Sequence, residues 1–257
     1  MDNIKNKVIS QFGKHAEKYV TSEIHAKGTD LHTLVEWLQP QKAELVLDIA
    51  TGGGHVAKAL SPHVSHVFAT DLTRDMLANT ARHLKKVSDN VSYIITDAEN
   101  LPFLDESFDI VTCRIAAHHF PNPQDFIKEV ARVLKSNGSF LLIDNVSPKE
   151  EHLAQFMNTL EALRDESHSR CLSVEEWQEL FSKSNLKEVQ SQLRKKTYTF
   201  PSWVERTANS QEQINRVNQY IFDANEAIQK YFNISCENAE IQSMQIDEWM
   251  VMCKKED

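Results

Sequence analysis

The chain has few cysteines, and they form no pattern that binds a metal or builds a disulfide scaffold. Its 257 residues contain four cysteines, which lie far apart and include no CxxC pair. Isolated cysteines exclude the common zinc motifs and do not indicate an oxidising compartment. We therefore expect reduced thiols and no bound metal.

Long apolar runs are also missing. The longest are far shorter than the roughly 20 residues that a membrane-spanning helix needs. The opening residues, MDNIKNKVISQFGK, lack the apolar stretch of a signal peptide. We expect a cytoplasmic protein with no membrane partner.

Basic residues are too few for a nucleic-acid-binding surface. The chain has 28 Lys and Arg against 37 Asp and Glu, a formal net charge of −9. Such a charge argues against unspecific attraction to phosphate backbones. The run Arg194-Lys195-Lys196 is too short to change this, so a nucleic-acid partner is not expected.

Residues 44–144 repeat a pattern in which a strand is followed by a helix. Nearly continuous short apolar runs are typical of strands covered on both faces. These runs lie at 44–50, 66–70, 91–96, 108–113 and 139–144. Helical periodicity lies between them at 54–61, 74–87 and 124–135. The alternation predicts βαβ units in an open, doubly wound α/β sheet.

The flanking segments are expected to be mostly helical. Residues 3–38 have helical character, and Ser173 with Glu176 matches a capping box. Further helices are predicted at 149–164, at 173–183 and, as one long amphipathic helix, at 210–232, with strands at 187–200 and 243–255. Since no linker divides the chain, we expect a single domain.

Glycine is scarce, and half of it lies in one loop. Three of the six glycines fall in the segment VLDIATGGGHVA, where the first strand ends and a helix begins. Glycine permits a tight turn and a close approach of ligand to backbone. Gly52, Gly54 and Ala57, followed by Asp71, also satisfy the GxGxxG/A pattern of dinucleotide enzymes. NAD is therefore one candidate ligand.

Three acidic residues, Asp48, Asp71 and Asp97, lie at or just after the ends of predicted strands. A pyrophosphate beside Asp48 would bring two anions together, whereas S-adenosylmethionine carries a sulfonium and an ammonium there. Asp71 suits the ribose hydroxyls, and Asp97 with Ala98 suits the adenine amino group and ring. Because open α/β sheets bind ligands at the carboxyl ends of their strands, the three acids favour S-adenosylmethionine.

In these motifs the chain resembles the class I S-adenosylmethionine-dependent methyltransferases. The matching segments are VLDIATGGGHVA, TDLT, TDAENLPFLDESFDIV and VARVLKSNGSFLLID. The branch is similar to the ubiquinone/menaquinone C-methyltransferases, and FGKHAEKYVTSEIHAKGTDL, TCRIAAHHF and RDESHSR resemble small bacterial methyltransferases of the YcgJ type. The resemblance implies a doubly wound, Rossmann-like sheet of seven strands, mostly parallel, with helices on both faces and an antiparallel last strand.

The resemblance also implies how the chain divides and which residues hold the cofactor. The expected parts are an N-terminal helical lid at 1–40, a cofactor-binding core at 41–147, and substrate-covering helices with the last two strands at 148–257. Leu72 and Met76 would flank the adenosine, and Arg114 would lie beside the cofactor. The full expected set is Tyr19, Asp48, Thr51, Gly52, Gly54, Asp71, Leu72, Met76, Asp97, Ala98 and Arg114.

His118 and His119, after the fourth strand, are the candidate catalytic residues. Methyl transfer needs an in-line approach, exclusion of water and, for some acceptors, a base. A neutral imidazole can take a phenol or enol proton, although either histidine can instead shape the loop by bonding to backbone.

A second polar cluster lies in RDESHSR, at Asp165, His168 and Arg170. It is placed either to orient a polar or anionic substrate or to form a helix end followed by a solvated turn. Tyr19 and His25 belong to the segment that the family often lays over the cofactor.

The sequence thus predicts transfer of a methyl group from S-adenosylmethionine to a small molecule. The acceptor would fit beneath the helices at 149–183 and 210–232. Two alternatives stay open: an RNA or protein methyltransferase, against which the acidic charge counts, and a non-catalytic module that only binds the cofactor.

Overall fold

One mixed sheet runs through the part of the chain that the structure describes. In this computed structural model, the backbone is described for residues 3–20 and 29–256 and the side chains for residues 4–13 and 30–256. The eight strands within those residues are β1 Leu45–Ile49, β2 His66–Asp71, β3 Val91–Ile95, β4 Phe108–Arg114, β5 Leu134–Asn145, β6 Leu186–Thr199, β7 Ser235–Glu237 and β8 Glu240–Lys255. Their order across the sheet is β3-β2-β1-β4-β5-β8-β6, with β7 paired to β8.

The first five strands are parallel, and β8 is antiparallel to its neighbours β5 and β6. Strands β1 and β4 are adjacent although β2 and β3 come between them in the chain. The winding direction therefore reverses between β1 and β4. Ligands of open α/β sheets bind at the carboxyl side of such a switch point.

Ten α-helices accompany these strands in the described ranges. They are α1 Asn3–Val20, α2 Thr29–Leu38, α3 His55–Leu60, α4 Arg74–Leu84, α5 Pro123–Val133, α6 Glu151–Arg164, α7 Val174–Lys183, α8 Phe200–Glu205, α9 Gln211–Phe222 and α10 Glu226–Tyr231. The capping box expected at Ser173 and Glu176 is formed, and it begins α7. None of the described helices combines the length and the apolar character that a bilayer span requires.

Each face of the sheet is covered by its own apolar cluster. Helices α2, α3 and α4 pack on one face, where Leu34 and Leu60 meet Val46 of β1. Helices α5 and α7 pack on the other face, where Phe126 and Trp177 are almost fully buried. Strands covered on both faces read as nearly continuous apolar runs, which is why the sequence pattern identified them.

A third apolar cluster lies beyond the carboxyl ends of the parallel strands. It joins α6, α8 and α9 to the end of β6 and the start of β8, and Leu160, Trp203, Val217 and Met244 are among its buried residues. Because β8 is antiparallel, its first residues project past the carboxyl edge of the sheet. This cluster therefore provides a roof over the end of the sheet where ligands bind.

The predicted fold class is confirmed, with corrections in detail. The single long helix expected at 210–232 is wrong: α9 ends at Phe222, and α10 starts anew because the Asn225 side chain accepts a hydrogen bond from the Ile228 N–H. The short strand β7 is additional, and β5 begins at Leu134, directly after α5.

Replacing Gly54, which lies between β1 and α3, should destabilise the fold. Its φ is +76°, and an added Cβ would lie against Thr80 Cγ2 and 2.8 Å from Leu84 Cδ1, both in α4. We expect Gly54→Ala to lower the free energy of unfolding by about 1 to 3 kcal/mol. Urea denaturation without added ligand measures this change.

Gly13→Ala is the matched control. Gly13 lies within α1, and the nearest atom to an added Cβ is Asp75 Oδ2 at 3.7 Å, an ordinary contact. Since alanine favours helix over glycine by about 1 kcal/mol, this variant should be as stable as the wild type or more stable. An unchanged urea midpoint for Gly54→Ala would contradict the steric argument.

Candidate active site

One cavity opens at the switch point of the sheet. Residues at or just after the carboxyl ends of all five parallel strands line it, together with residues of α1, α6 and α8. The strand ends form one half of the cavity. Two histidines after β4 and the roof of α6 and α8 form the other half.

The backbone turns sharply after β1 and β4. Ala50 and Ile115 have left-handed conformations, with φ of 52° and 53°. Such a φ is rare for a β-branched residue, and it is held here by a hydrogen bond from the Ile115 N–H to the Ile143 carbonyl at 2.7 Å. Both residues line the cavity, and strained residues of this kind cluster at ligand sites.

The two outer glycines of the loop have different roles. Gly52, with φ +53°, lines the cavity, and a Cβ there would have only the Ala50 carbonyl oxygen near it, at 3.9 Å. Its open side is available for a ligand to approach the backbone. Gly54 does not line the cavity and packs against α4 instead, so its expected contact with the cofactor is corrected to a packing role.

Asp48, on β1, is a buried carboxyl group that faces the switch point. It accepts hydrogen bonds from the hydroxyls of Thr51 at 2.6 Å and Thr112 at 2.9 Å. Burial outweighs these bonds and raises the pKa of Asp48 to about 6. Because burial opposes the charged form, a cationic ligand group would stabilise ionised Asp48.

Asp71, at the end of β2, fastens the glycine loop. It accepts hydrogen bonds from the backbone N–H groups of Gly52 at 3.1 Å and Thr73 at 2.8 Å. Burial raises the pKa of this carboxyl group above its ordinary value despite these bonds. Leu72 and Met76 line the cavity beside it, so an acid and an apolar surface adjoin there.

Asp97 and Ala98, after β3, complete the row of strand-end residues. Asp97 accepts a hydrogen bond from the Glu99 N–H at 3.0 Å and forms an ion pair with Lys5 of α1 at 2.7 Å. Lys5 also bonds Glu99 at 2.5 Å. Helix α1 therefore borders this end of the cavity, and Lys5 is a residue that the sequence pattern did not single out.

Arg114, at the end of β4, is paired within the protein. Its Nε donates to Asp30 Oδ2 of α2 at 2.5 Å, and both side chains are buried. Burial alone would raise the pKa of Asp30, but the bond to Arg114 holds it below its usual value. Helix α2 thus fixes Arg114 at the wall of the cavity.

His118 forms a buried pair with Asp144 of β5. The imidazole Nδ1 lies 2.6 Å from Asp144 Oδ1, and the His118 N–H donates to Oδ2 at 3.0 Å. Burial opposes a charged imidazole, but the neighbouring carboxylate outweighs it and raises the pKa of His118. Within the described residues Nε2 has no hydrogen-bond partner. His118 therefore offers Nε2 to the cavity that it lines.

His119 lies next to His118, with ring centroids 4.3 Å apart. Burial and the neighbouring His118 lower its pKa to about 4, so it is neutral at pH 7. Its Nδ1 is 2.9 Å from the Ser167 carbonyl oxygen, which only accepts, so Nδ1 carries the hydrogen. Phe12 of α1 meets the ring edge to face at 5.0 Å.

The structure separates the three candidates in RDESHSR. Asp165 lines the cavity. His168 does not: its Nε2 is 3.1 Å from Asn158 Oδ1, and burial lowers its pKa to about 2. Arg170 also lies away from the cavity, with 57% of its side chain exposed and an ion pair to Glu176. The expected cluster of three is thus corrected to Asp165 alone.

Several cavity residues escaped the sequence analysis. Besides Lys5 they are Phe12, Asn145, Arg164, Tyr198 and Arg206. Most lie on elements far apart in the chain, and an aromatic or basic residue that lines a cavity looks in sequence like any other. Tyr19, at the end of α1, and His25 lie outside the residues whose side chains are described.

Comparison with known proteins identifies the family. Residues 47–142 match the methyltransferase domain family. Over 225 residues, 87% of this chain and 89% of the relative, the sequence is 36% identical to the uncharacterized methyltransferase YcgJ of Bacillus subtilis. This chain belongs to the methyltransferase family. It is an S-adenosylmethionine-dependent methyltransferase of the Rossmann-like class.

Two further relatives agree with this assignment. The crystal structure of a putative methyltransferase from Bacillus halodurans superposes with a TM-score of 0.87 at 36% identity, covering 90% of this chain and 100% of that one. A demethylmenaquinone methyltransferase of Thermotoga maritima is 33% identical over 150 residues, which are 56% of this chain and 64% of the relative.

The cavity of this methyltransferase presents carboxyl groups to a ligand. Asp48, Asp71 and Asp97 line its strand-end half, so a pyrophosphate there would meet carboxylates. A ligand with a cationic amino-acid end and ribose hydroxyls matches the same acids. The described residues contain no group of three side chains able to hold a metal ion.

The raised pKa of His118 should depend on Asp144. We expect an imidazole pKa above 6.5 in the wild type and below 6.5 in Asp144→Asn, because burial then acts without the opposing carboxylate. NMR titration of the imidazole signals measures both values. His119, with a pKa of about 4, serves as an internal control that stays neutral from pH 6 upward.

The same pair makes stability depend on pH. The raised pKa of His118 gives stability that is present below about pH 6.5 and lost as pH rises through the folded value. The lowered pKa of Asp144 gives stability that is present above about pH 4 and lost as pH falls. The advantage of wild type over Asp144→Asn should therefore be largest near pH 5 to 6. A wild-type pKa below 6.5 would contradict both expectations.

Proposed function

We propose that this methyltransferase binds S-adenosylmethionine at the strand ends and transfers its methyl group to a small molecule held beside His118. One observation carries the proposal. The three strand-end carboxyl groups of Asp48, Asp71 and Asp97 line the same cavity as His118, which is paired with Asp144. Cofactor recognition and a base for the acceptor therefore share one enclosed space.

The half of the cavity that the strand ends form is the cofactor half, and each of its residues would have a distinct role. Asp48 would bind the ammonium group, Asp71 the ribose hydroxyls, and Asp97 the adenine amino group. Leu72, Met76 and Ala98 would contact the adenosine through apolar surface. When bound, the cofactor supplies a methyl group activated by a sulfonium. Thr51, Gly52 and Arg114 would complete this half.

The half of the cavity that the two histidines, α6 and α8 form is the acceptor half. In it, His118 is placed to act as the base. Asp144 accepts from Nδ1, which leaves Nε2 to take a proton from an acceptor hydroxyl. The carboxylate also stabilises the imidazolium that results. His119 would form the wall of the cavity beside His118. Phe12, Phe120 and Trp203 line the same half and exclude water.

A small acceptor is favoured by the enclosure of the site. Helix α1 closes over the cavity through Lys5 and Phe12, and α6 with α8 forms its roof. The net charge of −9 also disfavours RNA. The Thermotoga maritima relative is named for demethylmenaquinone, a quinone, which is neither RNA nor protein. These observations support small-molecule methylation over the RNA or protein alternative.

The proposal is tested by cofactor binding followed by turnover. We expect calorimetry to show binding of S-adenosylmethionine and not of NAD. Asp71→Asn should weaken it about ten- to a hundred-fold, because a bond to a charged acceptor is worth about 1.5 to 3 kcal/mol. The exposed carboxylate of Asp125, paired with Lys128, gives the control Asp125→Asn, which should bind normally.

Turnover distinguishes an enzyme from a binding module. Formation of S-adenosylhomocysteine should increase when small hydroxylated aromatic compounds are added and should not increase with total RNA. Absence of S-adenosylmethionine binding would overturn the whole proposal. Binding without turnover on any small molecule, but with methylation of RNA, would favour the alternative.

Cofactor affinity should depend on pH through Asp48. Its pKa is about 6, and an ammonium ligand favours the ionised carboxylate. We expect the association constant to fall by up to about ten-fold per pH unit as pH is lowered below 6. Calorimetry between pH 5 and pH 7 measures this. Asp48→Asn should bind weakly and without that dependence, and a pH-independent wild type would contradict the role of Asp48.

A further inference from the structure

Asp165 is a buried carboxylate in the acceptor half, and only one of its two oxygens accepts hydrogen bonds from the described residues. Its side chain is 1% exposed, and Oδ1 accepts both hydrogen bonds from Ser167, from the backbone N–H at 2.9 Å and from the hydroxyl at 2.5 Å. Oδ2 has no hydrogen-bond partner among the described residues. Because Asp165 lines the cavity, a bound molecule is the partner available to Oδ2.

Asp165 is held in its ionised form by the protein itself. Although burial opposes ionisation, the nearby Arg164 and the bonds from Ser167 hold the pKa of Asp165 below its ordinary value. Asp165 is therefore an anion at pH 7 without needing a cationic ligand. A neutral hydrogen-bond donor suits such a group, whereas a carboxylate or phosphate would be repelled.

His119 presents a second acceptor beside it. The Ser167 hydroxyl hydrogen is committed to Asp165, so His119 Nδ1–H donates to the Ser167 carbonyl oxygen. Since the ring is neutral, Nε2 carries a lone pair and no hydrogen. Nε2 also lacks a partner among the described residues. Ser167 thus orients two acceptors, Asp165 Oδ2 and His119 Nε2, which belong to one cavity wall.

One of these two acceptors, His119, lies beside the candidate base, and both acceptor residues line the same cavity as that base. The rings of His118 and His119 are 4.3 Å apart, a separation that two substituents of one small ring can span. Phe12, Tyr198 and Trp203 line the same space with aromatic surface. One hydroxyl of an acceptor can therefore meet His118 while its neighbour meets Asp165 or His119.

We propose that Asp165 determines acceptor specificity: with His119 it accepts a hydrogen bond from a second hydroxyl of a neutral aromatic acceptor and rejects acceptors that carry a carboxylate or phosphate at that position. The inference rests on the proposed function, because it concerns the acceptor half of the same site. It adds a selecting residue and a charge rule that neither the family nor the strand-end motifs supply.

A pair of probes that differ at one substituent tests this. Catechol has two adjacent hydroxyls, and salicylate has a carboxylate in place of one of them. Calorimetry would measure the affinity of each compound for the complex of the methyltransferase with S-adenosylhomocysteine. We expect wild type to bind catechol at least about ten-fold more tightly than salicylate, because like charges repel in a buried site.

Two variants test whether Asp165 causes the preference for catechol. Asp165→Asn keeps an oxygen for the bonds from Ser167 but removes the charge, so the preference for catechol should fall to about three-fold or less. Glu166→Gln is the matched control: this adjacent carboxyl residue is exposed and does not line the cavity, so the wild-type preference should persist. Binding of S-adenosylhomocysteine shows that each variant is folded.

The outcomes separate the two proposals. If the wild type did not bind S-adenosylhomocysteine, the proposed function itself would be overturned. Normal cofactor binding with no catechol binding, or with salicylate preferred, would overturn only the role of Asp165. The wild-type comparison needs no variant, so it stays decisive even where Asp165→Asn fails to fold. An unchanged preference in a folded Asp165→Asn would also overturn the inference.

Discussion

Burying carboxyl groups at one end of a sheet is the constraint on which this site depends. Five aspartates line or adjoin the cavity: Asp97 pairs with Lys5, and each of the other four has a different set of partners. Asp48 has threonine hydroxyls, Asp71 has backbone N–H groups, and Asp144 has an imidazole. Asp165 has a serine that donates twice. A buried carboxylate without such partners would be too costly to keep.

The partners divide the four acids into two kinds. Burial raises the pKa of Asp48 and Asp71, so these groups gain from a ligand that brings positive charge or hydroxyl donors. The protein's own cations and hydrogen bonds lower the pKa of Asp144 and Asp165. In the half of the cavity assigned to the cofactor, Asp48 and Asp71 therefore lack the compensation that Asp144 and Asp165 already have. This difference supports a cationic ligand in one half and a neutral one in the other.

Helix α1 joins the two halves. Lys5 pairs with Asp97 in the cofactor half, and Phe12 packs against His119 in the acceptor half. Gln11 donates to the Thr207 carbonyl oxygen at 2.7 Å and so connects α1 to the segment after α8. A single helix thus contacts residues that are remote from one another in sequence. One side of the cavity is bordered by these contacts together.

The amino-acid sequence alone was sufficient to predict the βαβ order, the five parallel strands and the strand-end acids. Strands buried on both faces must be apolar throughout, and a ligand loop needs glycine at its turn, so these features are local and visible in the sequence. The folded structure decided that Gly54 packs on α4, that Arg170 faces Glu176, and that Asp144 pairs with His118. Those contacts join distant segments, and no local pattern records which segments a fold brings together.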